Sequence, residues 1–159
     1  MQVKANGISM RYAVDGPADG PVVVMSHSLS ANLTMWDWQM PVLSPYCVVR
    51  YDTRGHGGTD APADDYTLEL LADELFALLD ALDLGPVHYV GLSMGGRIGQ
   101  TAAIKDQSRF LSLSLCDTSS AVPEALRGTV VPLVPENIAL PPIGTKSIPL
   151  EKASRRARF

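Results

Sequence analysis

The chain has 159 residues, 46% of them hydrophobic and 19% charged, with a formal net charge of −4. This length and composition describe one globular domain with ample apolar side chains for a core, and exclude a chain too polar to fold. The acidic balance excludes nucleic acid as the main partner, and no apolar run approaches the ~18 residues needed to cross a bilayer.

Two short strands, near 2–6 and 8–14, are predicted as a hairpin turning at Asn6-Gly7. A third strand covers 21–27, where Pro21-Val22-Val23-Val24-Met25-Ser26-His27 reads as a buried run. A loop and a short helix near 34–42 follow, then a strand from Tyr46 to Asp52 that ends in the turn Arg54-Gly55-His56-Gly57-Gly58. Thr67 is placed to cap the clearest helix, with Leu68, Leu71, Ala72, Leu75, Leu78, Leu79 and Leu82 at three- and four-residue steps. Gly85-Pro86 is expected to stop it. A strand over 87–92, a helix over 95–105 and a strand over 110–117 complete the regular pattern. Such alternation predicts an α/β fold, a mostly parallel sheet with helices on both faces and ligands at the carboxyl ends of the strands. His27, Ser93 and Asp117 all fall at those ends.

The chemistry centres on Gly91-Leu92-Ser93-Met94-Gly95-Gly96. An apolar strand leads into it and a small-residue helix leads out, which is the context of a nucleophile elbow. There a serine stands at a strained apex, clear of the sheet, with a helix N-terminus behind it to favour developing negative charge. Ser93 is therefore the candidate nucleophile. The loop after the earlier strand, His27-Ser28-Leu29-Ser30, is placed to supply one oxyanion donor and the residue after the serine the other. Those donors are the backbone amides of Leu29 and Met94.

Three motifs in order, His27-Ser28-Leu29-Ser30 with Met35-Trp36-Asp37, Tyr51-Asp52-Thr53-Arg54-Gly55-His56-Gly57, and the elbow, resemble the α/β-hydrolase superfamily. The wording is most similar to the 3-oxoadipate enol-lactonase group, with haloperoxidase-like esterases as near neighbours, over residues 8 to 122. The resemblance implies an α/β-hydrolase-type sheet, a serine nucleophile and a small-molecule ester or lactone substrate, with no cofactor. It also implies that the Asp52–Gly57 motif shapes a loop, so that His56 braces that loop and is not a base. A longer chain would be needed to finish such a sheet, so residues 1–122 read as its N-terminal part, truncated after the sixth strand.

One departure bears on activity. The resemblance implies a triad in the order serine, acid, histidine, yet His27, His56 and His88 all precede Ser93. Asp117, ending a strand, is the candidate acid, and a turn cap is its ordinary alternative. The base is then His27 from an unusual direction, or a histidine of another subunit in a homo-oligomer that completes the sheet or site. Two readings stand: a serine hydrolase of carboxylic esters or lactones, and a catalytically impaired hydrolase-fold fragment with a ligand pocket lined by Trp36 and Met94.

Composition changes after residue 118. Residues 1–118 carry 7 Lys+Arg against 14 Asp+Glu, and residues 119–159 carry 6 against 3. Six of the 12 prolines lie in the latter part, which argues against a long helix or central strand over a Pro-rich, basic tail at 123–159. Cys47 and Cys116 sit in apolar strands and read as reduced thiols, which suits a cytoplasmic protein without a leader or membrane span. Histidines and cysteines lack ligand spacing, so no metal is expected.

Overall fold

The computed structural model describes residues 1–120 and, as backbone, Ser147–Ile148. The stretch expected as a tail over 123–159 otherwise lies outside the described residues. Among the described residues, strands β1 (Gln2–Ala5), β2 (Ile8–Asp15), β3 (Val22–Ser26), β4 (Cys47–Tyr51), β5 (Val87–Leu92), β6 (Phe110–Cys116) and β7 (Ser147–Ile148) form one seven-stranded sheet in the order β1-β2-β4-β3-β5-β6-β7. Helices α1 (Leu68–Ala81) and α2 (Met94–Lys105) follow β4 and β5.

The centre of the sheet, β4-β3-β5-β6, is parallel; β1, β2 and β7 pair antiparallel at its margins. The hairpin turns where Asn6 and Gly7 both hold positive φ, 47° and 78°, as a tight turn of the favoured twist requires. Strand β3 lies between β4 on one side and β5 on the other. The chain thus reverses its direction of travel across the sheet at the β3/β5 boundary, the place at which sheets of this kind bind ligands beyond the carboxyl ends of their strands.

Side chains alternate across the sheet. Met10, Val24, Val49, Tyr51, Tyr89 and Leu113 face the larger core, which α1 and α2 cover with Leu71, Leu75, Leu78, Leu79, Ile98 and Ala102. Val23, Met25, Val48, Leu92 and Cys116 face a second cluster that includes Trp36. Trp36 belongs to a 3-10 helix over Leu33–Gln39, which replaces the helix predicted near 34–42. The reason is local: Asn32 caps the segment from extended backbone by accepting from Thr34 N–H, and Pro41 follows within two residues.

Thr67 caps α1 as expected, accepting from Leu70 N–H at 3.1 Å. The stop lies earlier than predicted. Asp83 takes the left-handed conformation at φ 52°, its N–H donating to the Asp80 carbonyl and Leu84 N–H to the Leu79 carbonyl. This is a Schellman ending built on aspartate in place of glycine, and Gly85-Pro86 belongs to the loop that follows. Among the described residues no helix is long and apolar enough to cross a membrane, and Cys47 and Cys116 are free and buried.

Candidate active site

The turn from β5 to α2 is a tight crossing that small residues make possible. A Cβ on Gly95 would lie 2.3 Å from the Ser26 carbonyl oxygen, and one on Gly91 would lie 2.4 Å from the Gly95 carbonyl oxygen. Both obstacles are backbone, so glycine alone lets α2 start directly over the end of β3. Ser93, between them, holds φ 51° and ψ −108°, which side-chain-bearing residues rarely adopt. Its N–H donates to the Cys116 carbonyl, and its own carbonyl accepts from Arg97 N–H and from Thr118 Oγ1, at 2.9, 3.1 and 2.8 Å. The strained residue is therefore tied on both sides to β6 and α2. Its side chain is exposed and does not cap the helix.

Met94 opens α2, so its amide is among the helix-start donors without an intrahelical acceptor. Leu29 is exposed in the loop after β3. That loop is a turn closed by Ala31 N–H on the Ser28 carbonyl at 3.2 Å, with Ser30 at φ 60°. Ser93 follows β5, the loop follows β3, and the two strands are parallel neighbours, so the elbow and the turn lie at the same edge of the sheet. Asp117 is exposed one strand further out, at φ 41° after β6.

His27 occupies a different position from the one its sequence context suggests. It is 0% exposed, and both ring nitrogens are engaged away from the elbow. Nδ1–H donates to the Ser28 carbonyl at 2.8 Å, and Nε2 accepts from Thr53 N–H at 3.0 Å. A carbonyl can only accept and an amide can only donate, so the tautomer is fixed and no free lone pair is left to take the Ser93 proton. The reading of His27 as base is not supported by this geometry. Trp36, expected to line a pocket, is 1% exposed and packs within the second core cluster. His88 is half-buried on β5 with Nδ1 2.8 Å from Ser112 Oγ.

Burial lowers the His27 pKa, helped by His56 and opposed by the Ser28 carbonyl and Asp52. A histidine depressed in the folded state stabilises fully above its unfolded value, about 6.5, and that stability is lost as pH falls through the folded value. The melting temperature is accordingly expected to fall on acidification below about pH 6.5, and His27→Gln to flatten that part of the profile. Thermal denaturation from pH 8 to 4.5 measures it.

Several polar groups hold these loops. Asp52, 0% exposed, accepts from Leu33 N–H and Gly58 N–H at 2.7 and 2.8 Å and pairs with Arg11 at 3.2 Å. It thereby fixes both the 3-10 segment and the turn after β4. Arg50 joins Asp15 to Asp37, and Arg54 reaches Glu74 on the buried face of α1. Beneath the elbow, Tyr89 Oη donates to the Gly95 carbonyl at 2.8 Å, and Tyr51 Oη to Ser26 Oγ at 3.1 Å. Burial pushes the Tyr51 hydroxyl up to about 12, so it stays a proton donor throughout the neutral range.

Among the described residues no cluster of histidine, cysteine, aspartate or glutamate is placed to hold a metal ion. Residues 21–145 match the family model described as the alpha/beta hydrolase fold. The chain is 38% identical over 122 residues to 3-oxoadipate enol-lactonase 2 of Acinetobacter baylyi, covering 76% of this chain and 46% of that protein. Among solved structures it resembles an enol-lactonase from Burkholderia xenovorans LB400, at 37% identity and TM-score 0.74, over 76% of this chain and 47% of that one. A hydrolase from Pseudomonas aeruginosa PA01 superposes with TM-score 0.75 at 39% identity, over 79% of this chain and 48% of that one. The chain thus spans about half the length of the relatives it matches.

Proposed function

From the premise that this chain belongs to the alpha/beta hydrolase fold family, we propose that it acts as a serine hydrolase of carboxylic esters or lactones. Ser93 is the nucleophile in this reading, and the amides of Leu29 and Met94 receive the oxyanion. One observation carries it: an exposed serine held at φ 51° at the start of a helix, at the carboxyl end of β5 where the strand order reverses. Attack by Ser93 Oγ on the acyl carbon would build negative charge on the carbonyl oxygen, and amides fixed beforehand stabilise it without reorganising. The names of the enol-lactonase relatives favour a small lactone or ester as substrate. Buried, unpaired thiols suit a cytoplasmic setting, which is part of the proposal.

A second reading rests on the histidines. No histidine follows Ser93, and both nitrogens of His27 are occupied. The base is then supplied from outside these residues, another subunit of a homo-oligomer included, or these residues by themselves are a hydrolase-fold fragment with impaired chemistry. Turnover of p-nitrophenyl acetate and of a five-membered enol lactone decides between them. A kcat near 1 s⁻¹ or above, in the ordinary enzyme range, supports the complete hydrolase. A site lacking a triad member still accelerates by ~10³–10⁴ over water, so weak turnover supports the impaired reading. Sedimentation at assay concentration shows whether any strong activity belongs to a dimer.

A further inference from the structure

Two histidines outside the proposed chemistry are joined in an arrangement that neither motif announces. His27 lies on the loop after β3, and its Nε2 accepts from Thr53 N–H, on the loop after β4, at 3.0 Å. His56 lies on the loop after β4, and its Nε2 accepts from Ser30 N–H, on the loop after β3, at 3.4 Å. Each loop thus lends the other an imidazole acceptor for a backbone amide. The rings stand 5.0 Å apart between centroids, with Thr53 Oγ1 3.2 Å from both His27 Nε2 and His56 Nδ1.

One proton arrangement satisfies every contact. His56 Nδ1–H donates to the Arg54 carbonyl at 3.0 Å, and His27 Nδ1–H to the Ser28 carbonyl at 2.8 Å. The Thr53 hydroxyl then donates to His27 Nε2 and accepts from His56. Both rings must be neutral, since protonating either Nε2 sets one N–H against another. Of the groups facing His27, His56 favours the neutral ring and Asp52 opposes it. His27 is faced by His56 and by the Asp52 carboxylate, whose charge is taken up by Arg11 and two backbone amides. The Arg54 guanidinium is turned toward Glu74 and Asp64.

We propose that His27 and His56 form a reciprocal latch fixing the Ser28–Ala31 turn, and that His56 is thereby a positioning residue for the Leu29 amide. The proposal rests on the hydrolase reading for its functional half. The Leu29–Ser30 peptide is anchored by its N–H on His56, and Ser30 holds φ 60° in the same turn. Releasing that anchor frees the turn to relax and redirects the Leu29 N–H.

Nitrogen NMR of the imidazoles and amide hydrogen exchange, read on the intact chain and on His56→Ala and His56→Gln, test the latch. The expected result is an Nδ1–H tautomer for both rings above pH 7. Exchange at Ser30 rises on the order of tenfold in His56→Ala, the worth of one net hydrogen bond, and is partly restored in His56→Gln, which regains an acceptor. Phosphonylation of Ser93 by a fluorophosphonate slows in His56→Ala. Protonation on Nε2 of either ring, or Ser30 exchange unchanged in His56→Ala, overturns the latch. Unchanged phosphonylation beside altered exchange overturns the positioning role. If the unsubstituted chain is not labelled at all, the hydrolase reading fails, and tautomer and exchange alone then uphold or overturn the latch.

Discussion

Ser93→Ala is expected to lower kcat/KM for p-nitrophenyl acetate by 10³-fold or more, and Ser93→Gly to do the same while raising stability. The first effect follows from the proposed role of the hydroxyl as the nucleophile that forms an acyl intermediate. What turnover remains comes from the oxyanion donors and binding, which alone retain a modest acceleration. The second effect follows from the backbone. At φ 51° and ψ −108° a residue with a Cβ carries strain of order 1–3 kcal/mol, and glycine removes it. Against this, glycine enlarges the unfolded ensemble at a cost of roughly 0.4–1 kcal/mol, so the net gain is expected near 1 kcal/mol. Opposite signs for activity and stability at one position mark a serine held in strain for its chemistry. A surface serine of no consequence would lose little of either. Urea unfolding of the three proteins beside their ester kinetics gives the answer, and a Ser93→Gly chain less stable than the parent would refute the strain argument.

The sequence made the elbow legible because its needs are local. A glycine on either side of the serine, an apolar strand before and a small-residue helix after all show in the order of residues. The hairpin at Asn6-Gly7 and the Thr67 cap were legible for the same reason. The end of α1 was not, because aspartate enters the left-handed region less readily than glycine, and Gly85-Pro86 two residues on gave the louder signal. For His27, position along the chain says where a ring sits and not which atoms its nitrogens meet. Its partner, Thr53, lies 26 residues away and is brought beside it only by the β3–β4 pairing. Trp36 likewise read as a pocket residue, whereas the cap at Asn32 rolls it into the core. Glu74 left a readable trace that the helical stripe concealed. It stands three residues after Leu71 and four before Leu78, on the apolar face, where an acid calls for a cation.

That cation is Arg54, and removing it is expected to have the largest effect on stability outside the apolar core. Arg54 Nε lies 2.5 Å from Glu74 Oε1, with side chains 6% and 2% exposed. The guanidinium also stands 5.6 Å over the Tyr66 ring and 3.6 Å from Asp64. Burial pushes the Glu74 carboxyl up, and Arg54 opposes that rise by hydrogen bond and by charge. Arg54→Met leaves the carboxylate buried without its partner, a defect of about 3–5 kcal/mol. The loss should depend on pH in a stated direction. A carboxyl raised in the folded state contributes fully below its unfolded value of about 4.3 and loses that contribution as pH rises through the folded value. In Arg54→Met the folded value rises further, so the deficit against the parent is expected to be small near pH 4.5 and to widen toward pH 8. Because the buried pair has already been charged for desolvation, Arg54→Met with Glu74→Leu should return most of the stability, which neither single change does. Urea midpoints for the four chains at both pH values measure the cycle, and a pH-independent deficit in Arg54→Met would show that Glu74 is not the group left exposed to the loss. The same pair ties the loop bearing Thr53 and His56 to α1, so the double variant also asks whether that loop keeps its shape once the tie is apolar. Retained Ser93 labelling there would place the burden of the loop's geometry on Asp52 and the two histidines.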